Sequence, residues 1–485
     1  MNPAVIERFD AFPFRHRVAD LMTKPPLALG ADTSLAEAAR AMLPAGRSSI
    51  LLLDGEGRPA GIVTEHDLVC CFAEDGPAGL ERRLGEIARR PVLTVDQQAF
   101  LFVALGRMDR HEVRHLVAVD AEGRATGVLS SRAVLRTRAS AALRLGDSIA
   151  AAEDAEALKE VHDALPGLAR SLLAEQVSAG EVAAVISHVN RDIAQRAAEL
   201  AAARVAQAQG PAPARWCYLV LGSAGREESL LAPDQDNALV HDGAAGDDDG
   251  WFRALGEIAS DLQAAAGIPY CKGGVMASKP AWCHSLADWQ RLVQKWTAMP
   301  EGEQLLSIDI FYDFVPVAGE LTLGRELDRM AIAAAGERTL PKLMAGQLQA
   351  PGLPLKLWGG FRTEAGRLDL KLHGLYPIVA GARVLALALG ESARGTLSRL
   401  AAARAAGRLN EADHEALVAA FKLFQELILR QQVADLAAGA AAGTKVAVPA
   451  LPRATQQRLK EALRSVQVML ETVQDALARR AERCP

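Results

Sequence analysis

The chain has 485 residues, half of them hydrophobic, with 54 lysines and arginines against 59 aspartates and glutamates, a net charge of −5. That length holds roughly two to four domains, and the charge balance excludes a global basic field for nucleic acid or an anionic membrane. The six scattered cysteines show neither metal spacing nor a disulfide framework, which suits reduced thiols in a cytoplasm. The opening MNPAVIERFDAFPF lacks the basic and apolar regions of a signal peptide, and residues 1–14 are set aside as an N-terminal segment.

A repeat follows. DGEGRPAGIVTEHDL starts at Asp54 and DAEGRATGVLSSRAV at Asp120, an offset of 66 that also maps Pro25 to Pro91, Gly61 to Gly127 and Thr64 to Ser130. Each copy reads helix, apolar strand, D-x-E-G-R turn, second strand, helix. A unit duplicated at fixed spacing buries its core against its twin. These residues resemble a tandem CBS pair, or Bateman module, over about 15–140. The resemblance implies an adenine nucleotide in the cleft between copies and a homodimer formed through the pair. It also implies ribose contacts from Thr64 and Asp67 in the first copy. The second copy keeps Ser130 but has Ala133 where the acid belongs, so one competent ligand site is expected.

Residues 141–210 have helix-former composition with apolar residues at three and four spacing and end in the breaker QGPAPAR. They are expected to be a helical linker. WCYLVLG then reads as a buried strand closed by Gly222, which permits a tight turn and close backbone approach. Ser223 is placed to cap a helix from near Ala224, whose free amides would seat a phosphate. Arg226 in its first turn opposes the helix dipole, which suggests a ligand contact. In PDQDNALVHD a strand opening at Pro233 would put Asp234 and Asp236 on one face. Two carboxylates side by side repel, and a hard divalent cation removes that cost.

The string G-S-x-G-R-x-E…D-Q-D-N resembles the nucleotidyltransferase superfamily related to DNA polymerase beta. More narrowly it resembles the CBS-linked nucleotidyltransferases, which are similar to the uridylyltransferase that modifies the signalling protein PII. The resemblance implies a third carboxylate on a later strand. LLSIDIFYDFVPV, read as that strand, puts Asp309 and Asp313 on one face about 13 Å apart, so only one can complete the metal site. Asp313 fits the family pattern best and Asp309 is the second choice, while Val315 stands where the family has arginine. Lys272 and Lys279 are placed to meet a triphosphate. Trp282, Trp289 and Trp296, every seventh residue, read as a packing stripe.

From about residue 326 the pattern is helical. LDLKLHGLYPIVAGARVLAL resembles the family's D-x-K-x-x-G-L-x-P segment, which makes Lys371 a phosphate or acceptor contact oriented by Asp369. The apolar stretch after it is interrupted by Arg383 and reads as a buried helix. The expected fold class is thus α/β multidomain: a CBS pair at 15–140, a helical linker at 141–210, a polymerase-beta-like nucleotidyltransferase core at 211–325 and a helical substrate-binding domain at 326–485.

The functional expectation is a cytoplasmic, magnesium-dependent nucleotidyltransferase. Asp234, Asp236 and Asp313 would hold the metal. Gly222, Ser223, Arg226 and Lys371 would hold the nucleoside triphosphate. The acceptor hydroxyl would lie on a protein, and the CBS pair, through Thr64, Asp67 and Ser130, would sense an adenine nucleotide. The competing expectation is a catalytically inactive nucleotide sensor. Nucleic-acid acceptors and a membrane span are not expected.

Overall fold

The structure, a computed structural model, describes residues 16–134, 146–243, 249–298, 305–336, 339–348, 352–356 and 360–478. It divides into two compact units, Met1–Arg144 and Leu145–Pro485.

In the first unit the duplication is literal. Strands β1 (Ser49–Leu53) and β2 (Pro59–Thr64) pair antiparallel. In the second copy β3 (Thr94–Asp96), β4 (His115–Val119) and β5 (Ala125–Ser130) form a sheet in the order β3-β4-β5. The D-x-E-G-R turns are built alike. Asp54 Oδ1 accepts from the Glu56 and Arg58 amides at 2.9 and 2.8 Å, and Asp120 Oδ1 from those of Glu122 and Arg124 at 3.1 and 2.8 Å. An aspartate that satisfies amides two and four residues ahead stabilises the turn locally. Gly57 and Gly123 supply the left-handed residue, with φ of 80° and 81°. Helices Leu35–Ala45 and Leu101–Arg110 cover the respective copies.

The second unit is built on a four-stranded sheet. Its strands are β6 (Trp216–Val220), β7 (Asn237–His241), β8 (Cys283–Ser285) and β9 (Val315–Gly319), in the order β8-β7-β6-β9. Central β6 is antiparallel to both neighbours, whereas β7 and β8 run parallel. Because strand side chains alternate, β6 feeds two cores. Cys217 and Leu219 join Ala238, Val240 and the tryptophans Trp282, Trp289 and Trp296 on one face. Tyr218 and Val220 join Leu239 and the helices Ala155–Ala174, Ala179–Gln209 and Asp249–Ala265 on the other. The tryptophan stripe is packing: all three rings are buried and neighbouring centroids lie 6.1 and 6.3 Å apart.

Two expectations change here. Helices Ala155–Ala174 and Ala179–Gln209 do not form a free-standing linker. Their apolar stripe, including Val182, Ile186, Ile193 and Ala197, is buried against the sheet, as an amphipathic helix with a hydrophobic face requires. Second, residues Leu305–Phe311 are a helix, and β9 begins only at Val315. The alternation in SIDIFYDF also satisfies a helical period, since Ile308, Phe311 and Tyr312 are buried together; a short apolar run fits either period.

The C-terminal part packs helices Tyr376–Leu389, Thr396–Ala405, Glu411–Ala437 and Arg453–Ala478 against one another in one hydrophobic core, to which a small ribbon of β10 (Leu368–Asp369) and β11 (Lys445–Val446) adds Leu368 and Val446. The segment Lys371–Leu389 is the one described helix long and apolar enough to cross a membrane, and it is mostly buried in this core.

Candidate active site

β6 delivers the chain to Leu221, whose amide donates to the Asp236 carbonyl at 2.8 Å. Gly222 follows with φ of 60°. A Cβ at that position would meet Asp236 Oδ2 at 2.2 Å, so the glycine is what lets the carboxylate lie against the turn. The expected helix is a single turn, Gly222–Gly225. Ser223 caps nothing; its Oγ lies 3.2 Å from Ser229 Oγ. The turn is held from the long helix instead: Arg191 donates from Nε to the Ala224 carbonyl at 2.7 Å and from a terminal nitrogen to that of Gly225 at 2.9 Å.

Asp234 and Asp236 precede β7 rather than lying on it, yet their side chains still share a side. Gln235 between them is buried, and its Nε2 donates to the Ser260 and Ile268 carbonyls at 2.9 Å each. Pinning the middle residue inward sends both flanking carboxylates the other way. Ligand atoms of Asp234, Asp236 and Cys271 all lie within 4.8 Å of one another. Burial, then repulsion from Asp234, raises the Asp236 carboxyl to about 6, against opposing pulls from the Cys271 thiol, Lys371 and Arg226. Burial, then the charge of Asp236, pushes the Cys271 thiol up to about 11. At neutral pH the thiol is therefore protonated and hydrogen-bonded to Asp236. The two carboxylates are hard oxygen donors, which fit a cation such as magnesium, and the Cys271 sulfur lies within reach of the same site.

Asp313 does not join this group. Its side chain is fully buried and receives three guanidiniums: Arg226 at 2.5 Å, Arg383 at 3.1 and 2.5 Å, and Arg399 at 2.8 Å. Burial alone would raise this carboxyl, but Arg383, Arg226 and Arg399 hold it well below the usual carboxylate range. Both oxygens are committed, so the residue expected as third metal ligand is an ion-pair hub. Arg226 is likewise engaged, with Asp313 and with Glu228 at 2.7 Å. Glu228 in turn accepts from the Thr396 amide at 2.6 Å. The network ties the sheet core to the C-terminal helices through Arg383 and Arg399. Asp309, one helical turn before Asp313, is paired with Arg383 but remains at the edge of the open space.

That space is a cavity of about 200 Å³ between the core and the C-terminal helices. Gly222, Ser223, Arg226, Asp234, Asp236, Asp309 and Lys371 line it together. Lys272 and Lys279 are not among its lining residues. Asp369 does not orient the Lys371 ammonium; its Oδ1 accepts from the Lys371 and Leu372 backbone amides at 3.0 and 3.1 Å. Cys271, Arg191 and Arg383 escaped the sequence reading. Arg383 alone carried a signal, as a charge inside an apolar helix, where a buried guanidinium must find partners.

Two cavities stand out among the described residues of the first unit. One of about 390 Å³ is lined by Thr64, Arg89, Val113 and His115, and one of about 480 Å³ by Arg47, Ser130, Arg132 and Ala133. Asp67 is already occupied. Its Oδ2 accepts from the Thr64 amide and hydroxyl at 2.8 and 2.7 Å, and its Oδ1 from Arg89 Nε at 2.8 Å. The larger cavity is lined by both copies, Met42, Arg47 and Glu65 of the first among them, and on its second-copy wall Ser130 Oγ accepts from the Ala133 amide at 3.1 Å.

Comparison with known proteins agrees with this division. Residues 163–303 match the family described as "Putative nucleotidyltransferase DUF294". Residues 338–477 match its "Putative nucleotidyltransferase substrate binding domain", and residues 18–74 and 84–140 match CBS domains. The first match begins inside the helix Ala155–Ala174, consistent with the helices belonging to the transferase unit. Among curated proteins the chain is similar to a homoserine O-acetyltransferase of Methanocorpusculum labreanum, 31% identical over 24% of this chain and 22% of the relative. It is also similar to an L-aspartate semialdehyde sulfurtransferase of Methanocaldococcus jannaschii, 24% identical over 24% of this chain and 22% of the relative. The chain thus spans about a fifth of the length of these two relatives. Solved structures that are similar include a CBS domain protein of Pyrobaculum aerophilum complexed with AMP, 28% identical with a TM-score of 0.23, covering 24% of this chain and 89% of that one. Another is a CBS-domain containing protein of Agrobacterium tumefaciens, 25% identical with a TM-score of 0.24, covering 25% and 90%.

Proposed function

We propose, from the premise that this chain belongs to the CBS-linked nucleotidyltransferase family with its substrate-binding domain, that it moves a nucleoside monophosphate from a nucleoside triphosphate to an acceptor hydroxyl. The observation that carries this is the under-neutralised pair Asp234 and Asp236 lying against the Gly222 turn. Those two residues would hold magnesium, which when bound supplies charge neutralisation and alignment of the phosphates. Gly222 lets the backbone come close to the substrate, and Lys371 brings a cation to the same cavity. Arg226, paired with Asp313 and Glu228, lines the same cavity. The acceptor oxygen attacks the α-phosphorus, the bond to the β-phosphate oxygen breaks, and pyrophosphate leaves. We move the role expected of Asp313 to Asp309, which lines the cavity and takes the hydroxyl proton. A protein side chain is the proposed acceptor, on the resemblance to the PII-modifying enzyme.

The CBS unit is proposed to bind an adenine nucleotide in one or both of its cavities, with Thr64 and Ser130 at the respective walls and Asp67 acting through Thr64. Such a ligand changes transfer only if it prefers one of two arrangements of the protein. Val69, Phe72, Phe102 and Val103 are exposed on the helices of this unit, which supports self-association of the pair. A second reading, a nucleotide sensor without turnover, is favoured by one observation: Asp313 is unavailable as a metal ligand. The test that separates them is incubation of cell lysate with each labelled nucleoside triphosphate and magnesium, followed by mass spectrometry. Transfer by the native chain and none by D234N/D236N supports the enzyme; equal labelling by both removes the assigned site.

A further inference from the structure

The wall of the transferase cavity carries two chemistries. The core contributes the acids and the Gly222 turn. The C-terminal helices contribute an apolar surface of Leu375, Tyr376, Val379, Phe421 and Ile428. Two glutamines interrupt that surface. Gln432 is satisfied: its Oε1 accepts from the Leu231 amide at 2.9 Å, and its Nε2 donates to the Gly443 carbonyl at 3.1 Å. Gln425 differs. It is 3% exposed and lines the cavity, yet its carboxamide makes no hydrogen bond among the described residues, and its Oε1 lies 3.5 Å from where a Cβ on Gly180 would stand, which leaves the amide nitrogen for the cavity.

Burying an amide without a partner is unfavourable. A buried amide in the apolar wall of a cavity that also holds Asp234, Asp236 and Lys371 needs a partner that enters with the substrate. The part of a nucleoside triphosphate that is flat, largely apolar on its faces and polar on its edge is the base. A carboxamide offers one acceptor beside a donor, which matches the paired donor and acceptor of a base edge. Tyr376 and Phe421 supply the aromatic surface that such a plane packs on.

We propose that Gln425 hydrogen-bonds the edge of the nucleobase of the incoming nucleoside triphosphate and sets which base is accepted. The inference rests on the transfer reading above and adds to it a residue that chooses the substrate. A site built to hydrogen-bond a substrate group discriminates strongly against a substrate lacking it, because its own buried polar group is then left unpaired.

The experiment measures binding of four non-hydrolysable nucleoside triphosphates with magnesium to the full chain, native and with Gln425→Met or Gln425→Glu, alongside thermal unfolding. Turnover with hydrolysable nucleotides is measured in parallel. The native chain is expected to prefer one base by about tenfold or more. Gln425→Met, similar in size, should compress that ratio to within about threefold by weakening the preferred nucleotide, raising KM while kcat is kept. Gln425→Glu, which retains only acceptors, should reorder the bases. A variant that melts like the native chain and keeps the native order and ratio would overturn the inference while leaving the transfer reading intact. A native chain that binds no nucleoside triphosphate would overturn the transfer reading and this inference with it.

Discussion

Two groups of acids lie within one core and are treated in opposite ways. Asp313 is fully buried and receives three guanidiniums. Asp234 and Asp236 face each other beside a neutral thiol, with Lys371 and Arg226 acting on Asp236 across the cavity. The first arrangement is complete without a ligand. The second is short of positive charge, and that deficit is what a cation and its phosphates fill. Charge balance, more than position in a motif, separates the structural acid from the working ones.

The contrast can be broken at either end. The largest expected effect is at the hub. Asp313→Ala strands buried Arg226, Arg383 and Arg399, and losing one member of such a buried cluster costs about 3–5 kcal/mol; chemical denaturation should show it as a large drop in the midpoint. Next comes the acid pair. D234N/D236N should lower transfer by about 10²–10³-fold, the scale of losing electrostatic stabilisation at the reacting centre, while the melting temperature holds or rises because the repulsion is gone. Gly222→Ala forces a Cβ against Asp236 and takes a side chain into left-handed φ. It should cost about 1–2 kcal/mol of stability and tens-fold in turnover, in assays of both.

A smaller effect sharpens the comparison through pH. The folded value for Asp236, about 6, lies above the unfolded carboxylate value of 3.8. Its contribution to stability is therefore fully present below the unfolded value and is lost as pH rises through about 6. For this partly exposed group the loss is about 2 kcal/mol. Magnesium should restore that stability above pH 6 and do little at pH 4.5. Asp313 runs the other way: with its folded value depressed, it stabilises above the unfolded value and fails only as acid protonates it. Melting curves between pH 4.5 and 7.5, with and without magnesium, read the first sign, and their extension below pH 3.8, the unfolded value of Asp313, reads the second.

Much of the site was legible because its signals are local. Gly222, Asp234 and Asp236 are named by spacing and by the chemistry of a turn beside two acids. Their geometry was not: the acids share a side because Gln235 is pinned inward, not because they lie on a strand. What stayed hidden depends on distant contacts. The helical period of Leu305–Phe311 competes with an equally good strand period. The three arginines that claim Asp313 come from 87, 70 and 86 residues away. The helices Ala155–Ala174 and Ala179–Gln209 read as a spacer until Arg191 is seen holding the carbonyls of the glycine turn. The duplicated first unit was the easiest to read, because its turns repeat residue by residue.

The central claim is that Asp234 and Asp236 form a cation site. It is tested most directly by titrating magnesium into the full chain at pH 6 and recording heat and released protons. The account predicts saturable binding by the native chain with proton release, since burial and Asp234 raise the Asp236 carboxyl to about 6 and it must ionise to ligate, and no binding by D234N/D236N. Equal binding by both chains, or binding without proton release, would contradict it.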